Sequence, residues 1–329
     1  MFFSIIIPTY NPGTFLPRLL NSISHNNCID DIEVIISDDL STEPLEETLK
    51  SYSNLNIRMI KNEKHAGFPR DGRQHGADEA KGTWICFSDQ DDYFVDNAFD
   101  KVKDFIIQKS VKNYLISNFI MEDADTKQRH IEDATKGWTH GKFYEKAFWD
   151  KYHMGYDNIE YCEDINLSTK MSCLITAENI VYEKMEEPIY VWCRRKDSLS
   201  DIEYFIKSFP DYIDATLGVI LVYLERYKNT QQLYDAYQIL FFQTFLHMYF
   251  YLQSPFFFGK KKTILEIALK LQPIYERFKD ITGYNNEIIL QLLSTDLLTM
   301  YANVRNTDFM QIPFTEQLTF KQWLEAYFD

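Results

Sequence analysis

Ile85-Cys86-Phe87-Ser88-Asp89-Gln90-Asp91-Asp92 is an apolar run that ends abruptly in three carboxylates. Its first half reads as a buried strand, so the acids fall at that strand's C-terminal end. In an open α/β sheet this edge is where ligands bind. Like charges so close repel unless a cation or a proton relieves them. A hard divalent ion with oxygen ligands, Mg²⁺ or Mn²⁺, meets that need and would in turn carry an anionic group such as a diphosphate. The bland alternative is a solvated acidic turn, since loops are often acidic for solubility alone.

Upstream, Phe3-Ser4-Ile5-Ile6-Ile7 is a β-branched run closed by Pro8-Thr9-Tyr10-Asn11-Pro12-Gly13, which predicts a buried strand and a turn. Phe15, Leu16, Leu19, Leu20 and Ile23 then have helical spacing, with Pro17 tolerable in the first turn. Ile32 to Ser37 predicts a second strand ending in Asp38-Asp39. Pro44 to Tyr52 predicts a second helix and Ile57 to Ile60 a short strand. Pro69 to Lys81, which carries Arg70 and Arg73, predicts a helix before the strand Thr83 to Ser88. Such alternation implies right-handed β-α-β units and a mostly parallel sheet with helices on both faces. Pro8-Thr9-Tyr10, Asp38-Asp39 and Asp89 to Asp92 each follow a strand, so all three land on one edge and can line one crevice.

Downstream, the pattern predicts a helix over Asp96 to Lys109 and a strand over Tyr114 to Met121. Residues 122 to 137 are charged and aperiodic, which reads as a surface loop or a flap that orders on ligand binding. A structured segment from Trp138 to Tyr144 and a helix over Glu145 to Tyr152 follow. Tyr161-Cys162-Glu163-Asp164 is followed by a helical stretch, Ile165 to Cys173, and an Asp at its start can simply cap the first free N–H groups. Ile189 to Trp192 predicts a last strand, leading into Arg194-Arg195-Lys196, three cations that form a solvated face or close over a phosphate.

From about residue 203 the pattern turns helical: Tyr212 to Tyr227, Gln231 to Leu252, Lys261 to Ile281, Glu287 to Asn303 and Phe320 to Phe328. A boundary near Ser200 therefore divides an α/β domain, 1–200, from an all-α domain, 201–329. Ile239 to Leu252 is apolar on nearly every face, as in the buried middle of a bundle. Phe256-Phe257-Phe258 beside Lys260-Lys261-Lys262 also suits a membrane-surface or oligomer contact. His247 reads as a core or interface residue.

At 329 residues, with 45% hydrophobic and 25% charged residues, the chain has an ordinary globular composition and room for two domains. A net charge of −15 opposes any broad grip on a phosphate backbone, so nucleic acid is not the expected partner. The five cysteines are odd in number and form no C-x-x-C pair, which fits reduced thiols. No apolar run reaches the roughly eighteen residues of a membrane span, and the start lacks a leader pattern. A cytoplasmic location, with possible contact at the inner face of a membrane, is the expectation.

Taken together, Ser4-Ile5-Ile6-Ile7-Pro8-Thr9-Tyr10-Asn11, the strand ending in Asp38-Asp39, and Asp89-Gln90-Asp91-Asp92 resemble the family-2 glycosyltransferases of the GT-A fold. The resemblance covers roughly residues 1 to 200. It extends to Gly72-Arg73-Gln74-His75-Gly76, where the family often has Ala-Arg-Asn-x-Gly, to Gly141 through Tyr144, to Glu163-Asp164, and to Arg194 through Ser200. It implies that Pro8, Thr9, Tyr10, Asp38 and Asp39 hold the base and ribose of a nucleotide-sugar, with Arg73 near the same nucleotide. It implies Asp91 as metal ligand, Asp89 assisting it or touching the ribose, Asp164 as catalytic base, and Arg194 and Lys196 at the diphosphate. Leu40 stands where the family usually has Gly, and Gln74 replaces the usual Asn.

The resemblance thus implies a metal-dependent inverting transferase. It would move a sugar from a nucleoside diphosphate donor, expected to be a UDP-sugar, to a hydroxyl of a glycan, glycolipid or other glycosylated acceptor. The helical half would bind the acceptor, make a homo-oligomer or touch the membrane surface. Two rivals remain at this level: a sugar-phosphate nucleotidyltransferase, against which Pro8 to Gly13 lacks a Gly-rich phosphate loop, and a binding or scaffolding protein without turnover.

Overall fold

Phe3-Ser4-Ile5-Ile6-Ile7-Pro8-Thr9 is buried at every position and forms β1 (Phe3–Thr9), the middle of the sheet's parallel half. The computed structural model describes residues 1–135, 138–157, 163–195 and 202–227, with the isolated positions 233 and 269. The chain divides into two compact units, one of residues 1–168 and 178–198, the other of residues 169–177 and 199–329.

In the first unit, α1 (Phe15–Ser24) follows β1 and buries the face Leu16, Leu19, Leu20 and Ile23 that the spacing anticipates. Next come β2 (Ile32–Asp38), α2 (Glu46–Lys50), β3 (Asn56–Lys61), α3 (Pro69–Glu79) and β4 (Trp84–Phe87). They are followed by β5 (Tyr93–Phe94), α4 (Ala98–Lys109), β6 (Tyr114–Asp123), β7 (Arg129–Glu132) and β8 (Lys142–Glu145). The elements α5 (Lys146–Lys151), α6 (Glu163–Glu178) and β9 (Tyr182–Arg194) complete the series, α6 running from the first unit into the second.

Strand order is β3-β2-β1-β4-β8-β6-β9-β5, with β7 paired outside it on β6. The expectation of a mostly parallel sheet is corrected: β1, β2, β3 and β4 pair in parallel, as do β6 and β9, but β8 runs antiparallel to both β4 and β6. β5 and β7 are antiparallel to their neighbours as well. Antiparallel neighbours need no crossover helix, so these short strands enter the sheet without the helical spacing that announces a parallel one. Residues 122 to 132 also differ from the expected loop. β6 runs on to Asp123 and turns back into β7, pairing Glu122 with Arg129. The Asp123 carboxylate closes the turn by accepting the Thr126 N–H at 2.7 Å and its hydroxyl at 2.8 Å.

An aromatic cluster fills the space beneath the sheet, with Phe3 edge-on to Phe99 and Phe143, and Phe94 edge-on to Tyr190. At the N-terminal edge of the parallel strands, the buried Glu33 accepts the Ser4 hydroxyl at 2.5 Å and the amides of Lys81 and Gly82 at 2.6 and 3.1 Å.

In the second unit, α7 (Ile202–Tyr227) buries Leu217, Ile220, Leu221 and Leu224. The helices anticipated from Gln231 onward, His247 and the Phe256 to Lys262 patch lie outside the described residues. Among the described residues, no helix is long and apolar enough to cross a membrane.

Gly82 abuts β1 so closely that an added Cβ would lie 2.6 Å from the Phe3 carbonyl carbon and the Ser4 nitrogen. Backbone cannot move aside as a side chain can. Gly82→Ala should destabilise the protein by about 1–3 kcal/mol and lower its melting temperature in a calorimetric scan.

Candidate active site

The tips of β1, β2 and β4 reach a common edge because the three strands are parallel and in register, Thr9 facing Asp38 and Ile6 facing Phe87. Pro8 and Thr9 are buried there, the Thr9 hydroxyl donating to the Ile7 carbonyl at 3.1 Å. Asp38 accepts the Ser41 N–H at 2.9 Å. Asp39 accepts from Asn62 Nδ2 at 2.7 Å, from the Ala66 and Gly67 amides at 2.8 and 2.9 Å, and meets His65 Nδ1 at 2.8 Å. Its carboxylate therefore shapes the 62–67 loop. Between them and that loop, Leu40 sits at φ +64°, a left-handed backbone that favours glycine. Tyr10 is exposed, and its ring lies against His65 with centroids 4.4 Å apart.

The three carboxylates of the β4 tip have different surroundings. Asp92 is buried and receives the Tyr190 hydroxyl at 2.6 Å and the Cys193 amide at 2.7 Å, tying the loop to β9. Burial, then the charges of Asp91 and Asp89, push its pKa well above the carboxylate range. Burial and Asp89 also raise Asp91, against the Arg195 guanidinium, whose Nε lies 2.7 Å from Asp91 Oδ2. Arg18 donates to the Asp91 carbonyl, and both arginines lie over the Phe15 ring, at 5.8 Å for Arg18 and 5.2 Å for Arg195. Asp89 keeps a side chain 31% exposed; burial works against its charge, but Arg73 outweighs that and holds its pKa low.

Asp89, Asp92 and His140 present ligand atoms within 4.8 Å of one another. Burial pushes His140 down to about 4, leaving the neutral ring a metal ligand requires. That ring is stacked on Tyr190 at 5.1 Å and on Trp192 at 5.4 Å. Carboxylate oxygens in mutual repulsion, with one neutral imidazole beside them, fit a hard divalent cation. Asp89 and Asp91 each have only one oxygen engaged among the described residues, to Arg73 and Arg195 respectively.

The buried Arg73 joins this cluster to α6. One of its terminal nitrogens donates to Asp89 Oδ1 at 2.5 Å and the other to Glu163, next to Asp164. Burial first, then the Glu163 charge, raise Asp164 to about 7 against the pull of Arg73. Lys142 on β8, buried and near Asp164, is pushed down to about 8 by the same desolvation. Asp164 Oδ1 takes the adjacent Ile165 N–H at 2.8 Å, a local bond at the helix start.

Arg194 is exposed, its carbonyl receiving the Ala124 amide at 2.9 Å, and Lys196 lies outside the described residues. Of the two described cations here, Arg195 is the one that meets Asp91. Sequence reasoning did not single out Arg18, His140, Lys142, Tyr190 or Arg195. Arg195 carried a signal in its place between two other cations and Lys142 in the Gly141 to Tyr144 stretch; His140 and Tyr190 depend on which strands pair, and Arg18 on how α1 packs beside the carboxylate loop.

An α/β sheet that gathers paired aspartates and a DxDD loop at one edge, with Asp164 of α6 linked to them through Glu163 and Arg73, has the GT-A-like architecture of a sugar-nucleotide transferase. Residues 4–159, just under half of the chain, match the family model described as Glycosyl transferase family 2. One relative is a poly(ribitol-phosphate) beta-N-acetylglucosaminyltransferase, TarS, of Staphylococcus aureus, 35% identical over 28% of this chain and 17% of that protein. An uncharacterized glycosyltransferase of Haemophilus influenzae is 37% identical over 34% of this chain and 37% of its own length. The chain thus covers well under two thirds of either relative. The crystal structure of S. aureus TarS 1–349 in complex with UDP-GlcNAc aligns with a TM-score of 0.66 at 18% identity, over 85% of this chain and 84% of that one. The complex of the same fragment with UDP gives 0.67 at 17% identity, over 98% and 99%. At that identity the likeness is one of fold.

The raised pKa of Asp164 has a thermodynamic consequence. The folded protein holds this proton more tightly than the unfolded chain, so the group's stabilising contribution is complete at low pH. It is lost as pH rises from the usual carboxylate value to about 7. Asp164→Asn removes the titration, and its melting temperature relative to the parent should climb across that window. A flat difference from pH 4 to pH 8 would contradict the assignment.

Proposed function

We propose that this protein transfers a sugar from a nucleoside diphosphate sugar, a UDP-sugar by preference, to a hydroxyl of a glycan, glycolipid or other glycosylated acceptor, with inversion at the anomeric carbon. The observation that carries the reading is the Arg73 bridge, which couples the carboxylate loop at Asp89 to Glu163 and so to Asp164, an acid with proton affinity near neutrality. The S. aureus relative's name, and its structures with UDP and UDP-GlcNAc, support a uridine nucleotide as donor.

In this reading Pro8, Thr9, Tyr10, Asp38 and Asp39 form the nucleoside side of the crevice. Asp91 and Asp89 hold Mn²⁺ or Mg²⁺, with His140 and Asp92 beside Asp89. When bound, the ion neutralises charge that develops on the departing diphosphate. Asp164 accepts the proton of the acceptor hydroxyl, whose oxygen attacks the anomeric carbon from the face opposite the leaving group. The bond to the diphosphate breaks with its electron pair leaving on the diphosphate oxygen. A base whose pKa lies near the working pH is suited to this step, which typically contributes ~10²- to 10⁴-fold. Arg195, once released from Asp91, serves as a cation for the diphosphate, with Arg194 and Lys196 adjacent in sequence. Residues 201–329 are assigned as a helical domain for acceptor binding, self-association or contact with a membrane surface.

A thermal-shift series of nucleotide-sugars with and without Mn²⁺ tests the donor assignment, because a ligand that binds the native state raises its melting temperature. Asp164→Asn should lower turnover by at least about 10²-fold while keeping the UDP-induced shift. Asp91→Asn should lose turnover together with the Mn²⁺-dependent part of that shift. Full turnover by either variant would remove the role given to it.

A further inference from the structure

Gln90 lies between the two acids assigned to the cation, yet its side chain faces neither. Its Oε1 accepts the Tyr10 N–H at 2.8 Å, and its Nε2 donates to the Tyr10 carbonyl at 3.0 Å. A primary amide that meets both main-chain groups of one residue reproduces the reciprocal pair found between opposed residues of an antiparallel ladder. Tyr10 lies beyond the ladder of β1 with β4, whose register ends at Ile6 and Phe87, and the Gln90 side chain takes up its main-chain groups on that side. The side chain thus extends the sheet by one rung across the top of the crevice.

What the rung joins gives it a function. On one side is the peptide that carries Asp89 and Asp91. On the other is Tyr10, whose ring lies 4.4 Å from His65, which in turn contacts Asp39 at 2.8 Å. Tyr10 and Asp39 belong to the nucleoside side of the proposed site, Asp89 and Asp91 to the cation side. The Gln90 contacts are solvent-facing, so they break and form without disturbing the core.

We propose that Gln90 is a positioning residue that couples the nucleoside and cation subsites, so that filling one prepares the other even when the two ligands do not touch. The inference rests on the functional reading above. A cation gripped by Asp89 and Asp91 fixes the main chain of residue 90 and presents its amide squarely to Tyr10. A base held by Tyr10 fixes the same amide from the other end. Whichever ligand arrives second meets a loop already ordered, and linkage requires the effect to be equal in both directions.

Uridine and Mn²⁺ make the test, because a nucleoside without phosphates has no group to bind the ion directly. Isothermal titration of the full chain with each ligand, alone and with the other at saturation, should show each tightening the other about five-fold, the scale of one net hydrogen bond. In Gln90→Ala, and in Gln90→Met, which keeps the length of the side chain, both ligands should still bind while the mutual effect falls to about one-fold. A purely structural residue would lower both affinities and leave their ratio intact. Binding of both ligands to the parent without mutual effect, or a five-fold effect that survives in Gln90→Met, overturns this inference alone. Failure of the parent to bind either ligand overturns the functional reading and the coupling with it.

Discussion

A buried guanidinium organises the crevice. Arg73 is 4% exposed, and an arginine cannot discharge itself by losing its proton. Its burial is tolerable only in company with opposite charge, so Asp89 and Glu163 are drawn to it from two different elements. The approach is possible because α3 turns a nearly bare face to the sheet. A Cβ at Gly72 would lie 3.0 Å from the Pro8 ring, and one at Gly76 would collide with Ile6. Two glycines one helical turn apart thus bring the arginine over the strand tips. Taking Arg73 away would leave two carboxylates facing each other in a space with little water.

The same balance sets the acid–base character of the site. Burial works to raise both Asp89 and Asp164; Arg73 overrides it at Asp89, which keeps its charge, whereas at Asp164 burial and then the Glu163 charge prevail and the group holds a proton up to about 7. Two carboxylates of the same intrinsic acidity are thus pushed apart by how strongly one cation meets each.

The parallel half of the sheet was legible in the sequence because each of its central strands is an apolar run that stops at a polar tip, and parallel order then dictates that the tips coincide. Asp38, Asp39 and Asp89 through Asp92 could be assembled from that alone. In the other half the strands at Tyr114 to Met121 and Ile189 to Trp192 were legible but their pairing was not, because β8 is only Lys142–Glu145 and enters antiparallel between β4 and β6 without a crossover helix. His140, which precedes β8, and Tyr190, on β9, meet only through that arrangement, and nothing in their sequence neighbours announces it. The β6–β7 hairpin was hidden for a related reason: three of the four β7 residues are exposed, so no apolar alternation marks them. For Arg195 the composition was plain but the direction was not, since only the fold selects which of consecutive cations meets Asp91.

The carboxylates of the sheet differ in how many donors surround them. Glu33 has three donors on a single oxygen, Asp39 has three with a histidine beside it, and Asp92 has one on each oxygen. Asp89 and Asp91 have one side-chain partner each among the described residues. The first three behave as rivets, whose oxygens are spent on joining segments of chain. The last two retain unused lone pairs at the rim of a hollow. In this sheet the tally of donors around each acid, more than the crowding of acids in sequence, separates the groups that build from the groups left free to grip something that arrives later.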